Sequence, residues 1–215
     1  MEFRIIRSQR RKKIALRIAA DGVIEVLSPA YVPETFLLQL LEQEHDTITS
    51  LQKKAKPKPQ LDLSENATFM LLGTAYPLHL TKRLRLFDHA FMIPDGTDEE
   101  KKLALTTLYR ELAKTIIPRR VAFFSKICGI TPEKININSA SGRWGSCSGR
   151  KTLSFSWKLI QLPLDTVDYV VVHELSHLKE MNHSPSFWAV VKSIMPDYET
   201  RRKKLNALSR TLPHW

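Results

Sequence analysis

The sequence predicts an α+β fold, and three observations predict it. Alternating β-branched segments fill much of the first half, apolar residues at 3.6-residue spacing fill much of the second, and a histidine pair at helical spacing lies in that second half. Over 215 residues, 43% are hydrophobic and 26% charged, the composition of an ordinary globular chain. That length suits one domain, or a compact domain with a smaller appendage.

Residues 2–7 and 13–19 read as strands, with Ile14, Leu16 and Ile18 alternating. Asp21-Gly22 then separates the second run from Val23–Leu27, a strong hairpin signal. Residues 34–54 read as a helix whose apolar stripe is Phe36, Leu37, Leu40, Leu41 and Ile48. It stops in Lys53-Lys-Ala-Lys-Pro-Lys-Pro59, where two prolines forbid continuation and mark a linker. The expected division is therefore a hairpin-and-helix region over 1–60 and a catalytic region over 61–215, the two standing apart or packed as one unit.

Residues 67–93 read as further strands punctuated by Gly73 and Pro77, and Asp95-Gly96 turns the chain into a helix over about 98–127 that Pro118 should kink. Short extended pieces follow at 134–138 and 152–158, separated by a loop over 139–150. Helices at about 166–181 and 185–210 close the chain. Asp165 is the expected N-cap of the first, with Asp168 as capping-box acid.

That helix carries Val170-Val-Val-His173-Glu174-Leu-Ser-His177, an H-E-x-x-H pattern. Four residues advance a helix by about 400°, which puts both imidazoles on one face, one turn apart. Glu174 lies about 100° round from His173, close enough to reach a water at a metal without being a ligand. Val167, Val171, Leu175 and Leu178 centre on an arc roughly 130° away, so one side packs while the other faces a cleft. His183, six residues after His177, is the candidate third ligand if the helix ends soon after Glu180, and Asn182 suits a left-handed turn there. Three histidines leave a position open, the arrangement of a catalytic zinc and not a structural one. The H-E-x-x-H pattern arises by chance in roughly one chain in a hundred of this composition, and a histidine at the further spacing makes coincidence about thirtyfold rarer.

Ser141-Gly-Arg143-Trp144-Gly145-Ser146-Cys147, Trp157-Lys-Leu-Ile160, Asp168–Leu178 and Asn182-His183-Ser184-Pro185-Ser186-Phe187-Trp188 together resemble the YgjP-like metal-dependent hydrolase family. That family belongs to the zincin superfamily and is similar to SprT and WLM metalloproteases. The resemblance is strongest over 139–205. It implies a zincin-like fold, with a small mixed sheet beside an active-site helix and a β-rich N-terminal region. It implies His173, His177 and His183 as ligands of one Zn2+ ion (other divalent metals being alternatives), with Glu174 as catalytic base. Two departures stand out: Ser176 replaces a frequent alanine, and Ser154-Phe155-Ser156-Trp157 replaces an asparagine-tryptophan strand. Neither touches a ligand.

The expected function is thus zinc-dependent peptide hydrolysis, in which Glu174 deprotonates a metal-activated water. The strand over 152–158 is the expected edge for pairing with extended peptide. Arg143, Tyr169 and Tyr198 are candidates for holding substrate or stabilising an oxyanion. Packing is the simpler role for both tyrosines, and for Arg143 the simpler role is anchoring its loop to backbone carbonyls. Trp144, Trp157 and Trp188 are expected in the core, and Cys147 in a tight buried turn.

The formal net charge of +11 admits two readings, attraction of polyanions or a scattered solubilising surface. The first leaves two alternative functions open: a nucleotide phosphohydrolase of nucleoside triphosphate pyrophosphatase type, with Arg143, Arg150 and Lys151 near the site, and a nucleic-acid-associated protease of SprT type. No run of about 18 apolar residues exists to span a membrane. Two cysteines and no secretory signal indicate the cytoplasm.

Overall fold

A computed structural model describes residues 3–19, 23–46, 48, 49, 61–209, 212 and 215. The chain divides into two compact units, Met1–Leu61 with Thr211–His214, and Asp62–Arg210 with Trp215.

In the first unit, strands β1 (Phe3–Ser8), β2 (Ala15–Ile18) and β3 (Ile24–Pro29) form a sheet of order β1-β3-β2. β2 and β3 are the expected antiparallel pair, in register from Ala15 opposite Leu27 to Ile18 opposite Ile24. Their Asp21-Gly22 turn lies outside the described residues. Helix α1 (Glu34–Gln43) covers one sheet face, closing a core of Ile24, Val26, Leu37, Leu41 and Ile48. Phe36, expected in that stripe, is half exposed. Residues 50–54 and the Lys/Pro linker lie outside the described residues.

The second unit begins with β4 (Thr68–Leu71), β5 (Thr74–Thr81), β6 (Arg85–Phe87) and β7 (Ala90–Pro94), in a sheet of order β4-β5-β7-β6. Helix α2 (Asp98–Cys128) then runs without a break through Pro118. A reciprocal capping box between Thr97 and Glu100 starts it, and Gly129, at φ 65°, ends it in the left-handed conformation that glycine adopts most cheaply. Its buried stripe includes Leu105, Tyr109, Ala113, Ile117 and Val121. Trp215 packs in this unit against Tyr109 and Trp157, with ring centroids 5.3 and 4.8 Å away, and its Nε1 donates to Gln161 Oε1 at 3.1 Å.

A third sheet positions the site. Strands β8 (Lys134–Asn138), β9 (Gly145–Cys147) and β10 (Thr152–Ser156) lie in the order β8-β10-β9. β10 is parallel to β8 and antiparallel to β9, so it is the central strand. This corrects the sequence expectation, which treated 152–158 as an edge. The short β9 lies inside what reads as a loop, and three residues show no alternation to detect. The edge strands are β8 and β9, and the chain after Ser156 tightens into a 3-10 turn, Trp157–Gln161.

Helices α3 (Leu164–Ser176), α4 (Pro185–Ile194) and α5 (Tyr198–Leu208) complete the unit. The expected capping box on α3 does not form. Pro163 is the N-cap, and its carbonyl accepts from the amides of Thr166 and Val167. Asp165 instead pairs with Lys204 Nζ at 2.7 Å. Asp168 takes the Arg120 guanidinium on both oxygens, at 2.6 and 2.8 Å, tying α3 to α2. The single helix expected over 185–210 breaks at Met195, because Pro196 disfavours helical geometry in the residue before it.

Candidate metal centre

Helix α3 is apolar on the side that packs: Val167, Val171 and Leu175 are fully buried. His173 and His177 leave it one turn apart, with ring centroids 4.9 Å apart. The helix closes at His177, whose amide bonds to the His173 carbonyl, and a tight turn follows in which the amides of Lys179 and Glu180 both donate to the Ser176 carbonyl. The expected left-handed conformation at Asn182 does not occur. The reversal is completed by the start of α4, where the Ser184 hydroxyl accepts from the Phe187 amide and Pro185 occupies the first turn. His183 stands immediately before that cap, so the cap sets its position.

These elements bring His173, His177 and His183 together, with one ligand atom from each lying within 4.8 Å of the others. His173 Nε2 and His183 Nε2 face each other at 3.1 Å. His177 turns Nδ1 to the Glu180 carbonyl at 3.1 Å, which leaves its Nε2 for the cluster. Burial lowers the His173 pKa to about 3, reinforced by the neighbouring imidazoles of His177 and His183 and by Arg202. Burial also lowers that of His177. Three imidazoles with converging ring nitrogens, two of them held toward the neutral form by burial, suit a divalent cation. Among the described residues, this is the one cluster of three or more potential ligands.

Sequence reasoning missed the floor of the site. Phe187, fully buried, lies 5.0, 4.4 and 4.9 Å from the rings of His173, His177 and His183. Its position four residues beyond His183, inside the capped first turn of α4, was the available signal. Trp188, half-buried and not core as expected, lies 6.0 Å from the His173 ring and 5.8 Å from the His183 ring.

Glu174 is 5% exposed and accepts no hydrogen bond from a described residue. Burial raises its carboxyl to about 7, with Arg143 acting in opposition. It sits against β9, where a Cβ on Gly145 would fall 2.6 Å from its Oε1. Arg143 is exposed and forms no hydrogen bond or ion pair among the described residues, so it does not anchor its loop as expected. Trp144 does that instead: half-buried, it donates through Nε1 to Ser209 Oγ at 3.0 Å and accepts the Ser156 amide on its carbonyl. Cys147 lies half-buried in β9 opposite Leu153, not in a turn, and burial, then the charge of Glu174, raises its pKa.

Tyr169 is buried with its ring 6.0 Å from His173. Tyr198 stacks on Trp188 at 5.3 Å and donates its hydroxyl to Glu199 at 3.2 Å. Ser176, the departure from alanine, donates to the Val172 carbonyl at 2.8 Å and so carries no unpaired hydroxyl into the core. Neither Arg150 nor Lys151 enters an ion pair among the described residues.

Two histidines one turn apart on a helix, a third brought in by the reversal after it, and a buried carboxylate beside them define a metal-dependent hydrolase. The metallopeptidase domain of the YgjP-like family matches residues 12–208, and the chain belongs to that family. Membership makes it a metallopeptidase and implies a catalytic metal. Two solved structures are similar over part of the chain. One is the zymogen of the metallopeptidase abylysin from Pyrococcus abyssi, 21% identical over 45% of this chain and 99% of that one, with a TM-score of 0.40. The other is the zymogen of jannalysin from Methanocaldococcus jannaschii, 20% identical over 43% of this chain and 95% of that one, with a TM-score of 0.39. Among curated proteins, none matches the chain. No helix of the described residues is long and apolar enough to cross a membrane.

Proposed function

We propose that this metallopeptidase is zinc-dependent, with His173, His177 and His183 holding one ion and Glu174 acting as general base on peptide or protein substrates. The observation that carries the reading is the convergence of three histidine ligand atoms within 4.8 Å beside a buried carboxylate. A divalent ion held there supplies Lewis-acid polarisation of the scissile carbonyl and acidifies the attacking water. The chain supplies the rest. Glu174, poised by burial at about 7, accepts the proton of the attacking water and delivers it to the leaving nitrogen. Gly145 leaves room for that carboxylate. The free edge of β9 receives the substrate in extended form, a role that the central position of β10 denies to 152–158.

Tyr169, beside His173, and Arg143, on the Glu174 side, are the candidates for steadying the developing oxyanion. The Tyr198 hydroxyl is committed to Glu199 and is not assigned that role. We assign catalysis to the unit over 62–210, with the N-terminal sheet and helix as a separate module. Cys128 and Cys147 are both unpaired, in keeping with a reducing compartment. Family membership favours peptides over the nucleotide alternative. The test is a screen of zinc-loaded protein against peptides, denatured proteins and nucleoside triphosphates, with Glu174→Gln as control. Peptide turnover that the variant abolishes supports the reading, and turnover of triphosphates alone would replace it.

A further inference from the structure

We propose that Arg202, held over Trp188 at the rim of the metal centre, selects substrates that carry a carboxylate next to the scissile bond. This rests on the peptide reading and adds to it a substrate class.

The cations of α5 are used in different ways. Arg201 binds Asp197 at 2.9 Å and the Asp165 carbonyl at 3.1 Å, and Lys204 binds the Asp165 carboxylate at 2.7 Å. Those contacts dock α5 against the start of α3. Arg202 takes no part in them. Its guanidinium carbon lies 4.8 Å from the centre of the Trp188 ring, and no carboxylate among the described residues pairs with it. Glu199, one turn earlier on the same helix, accepts instead from the Tyr198 hydroxyl.

A guanidinium held over an aromatic ring by cation–π attraction spends none of its N–H donors on a protein acceptor, and the ring restrains the group before any ligand arrives. Arg202 is exposed, so those donors are open to a substrate. The platform also joins the cation to the metal site. The Trp188 ring lies over Tyr198 at 5.3 Å with 19° between planes, and over His183 at 5.8 Å with 29°. Arg143 approaches from the Glu174 side, also exposed and unpaired. The metal site is therefore bordered by two cations without partners, Arg202 near His173 and Arg143 near Glu174, and a carboxylate on the substrate would find open guanidinium donors at Arg202. Such a carboxylate can come from an Asp or Glu side chain or from the end of a peptide chain.

The experiment uses the zinc-loaded full chain and matched peptides. One arm compares Glu with Gln at each position flanking the cleaved bond, in amidated peptides. The other compares a free with an amidated C-terminus on one neutral sequence. We expect the carboxylate-bearing member of at least one arm to show about three- to fivefold higher kcat/KM, the size expected for an exposed charge pair, shrinking as salt rises. Arg202→Gln should bring that ratio close to one, and Arg202→Lys should retain part of it, since the charge remains but the fork is lost. A ratio near one for the wild type in both arms overturns the proposal. So does a ratio that survives Arg202→Gln, or one that collapses only in Arg143→Gln. If the wild type cleaves neither charged nor neutral peptides, the peptidase reading fails and this proposal with it. Cleavage of both without preference sinks the selectivity alone.

Discussion

Gly145 lies so close to Glu174 that a Cβ at position 145 would stand 2.6 Å from both the Cγ and the Oε1 of the glutamate. The edge strand β9 thus fixes where the buried carboxylate can be. Gly145→Ala must displace Glu174 or move β9, and Cγ is not the free end of a side chain that can swing away. We predict a loss of peptide turnover of about tenfold or more, because a misplaced base forfeits general-base assistance, while zinc content stays at the wild-type level. Steady-state kinetics alongside metal analysis decides it, and wild-type turnover would show that Glu174 needs no such confinement.

The Arg120–Asp168 pair anchors the active helix to α2 one and a half turns before His173. Both groups are largely shielded, with side chains 25% and 11% exposed. Asp168→Asn should cost about 3 kcal/mol of stability, since it leaves the guanidinium without its counter-charge. The double variant Arg120→Leu, Asp168→Leu should recover much of that loss. Urea unfolding of the three proteins checks both expectations.

Trp215 fills a space between Phe69, Tyr109 and Trp157 and satisfies the Gln161 side-chain oxygen. Trp215→Ala should destabilise the protein by about 3 kcal/mol, a typical cost of emptying an aromatic site. Phe should restore more of the stability than Ala, because it refills the space without the N–H. Thermal melts of the two variants would show the order.

The three histidines that converge were legible in the sequence, because helical spacing turns positions 173 and 177 into one face and a helix end soon after Glu180 lets 183 fold back. The hairpin of the first unit and the long α2 were equally legible from alternation and from periodicity. What escaped was non-local. Asp168 sits where a capping acid would sit, yet it answers an arginine 48 residues earlier, and no local pattern announces that partner. β9 escaped because its three residues, Gly-Ser-Cys, have no strand character apart from the neighbour that recruits them. The misplacement of the edge followed directly, since 152–156 is an edge only if β9 is absent. Phe187 and Arg202 belong to the same class: their roles depend on how α4 and α5 fold back over α3.

His183 is aimed by the capped first turn of α4. Ser184→Ala removes the side-chain acceptor of the Phe187 amide, a change worth about 1 kcal/mol of helix stability. We predict a weaker metal affinity with an otherwise intact fold, whereas Asn182→Ala should leave affinity nearly unchanged, because residue 182 has no left-handed strain to lose. Competition with a chromogenic zinc chelator, read beside circular dichroism, compares the two.

In the proposed function the labour is divided, with three histidines holding the ion and Glu174 moving the proton. The direct measurement is zinc stoichiometry and peptide turnover on the same preparations of wild type, Glu174→Gln and His177→Ala. We expect one equivalent of zinc in Glu174→Gln with turnover lower by about 10² or more, and loss of both zinc and turnover in His177→Ala. Zinc lost from Glu174→Gln would make Glu174 a ligand, and turnover kept in it would remove Glu174 as the base.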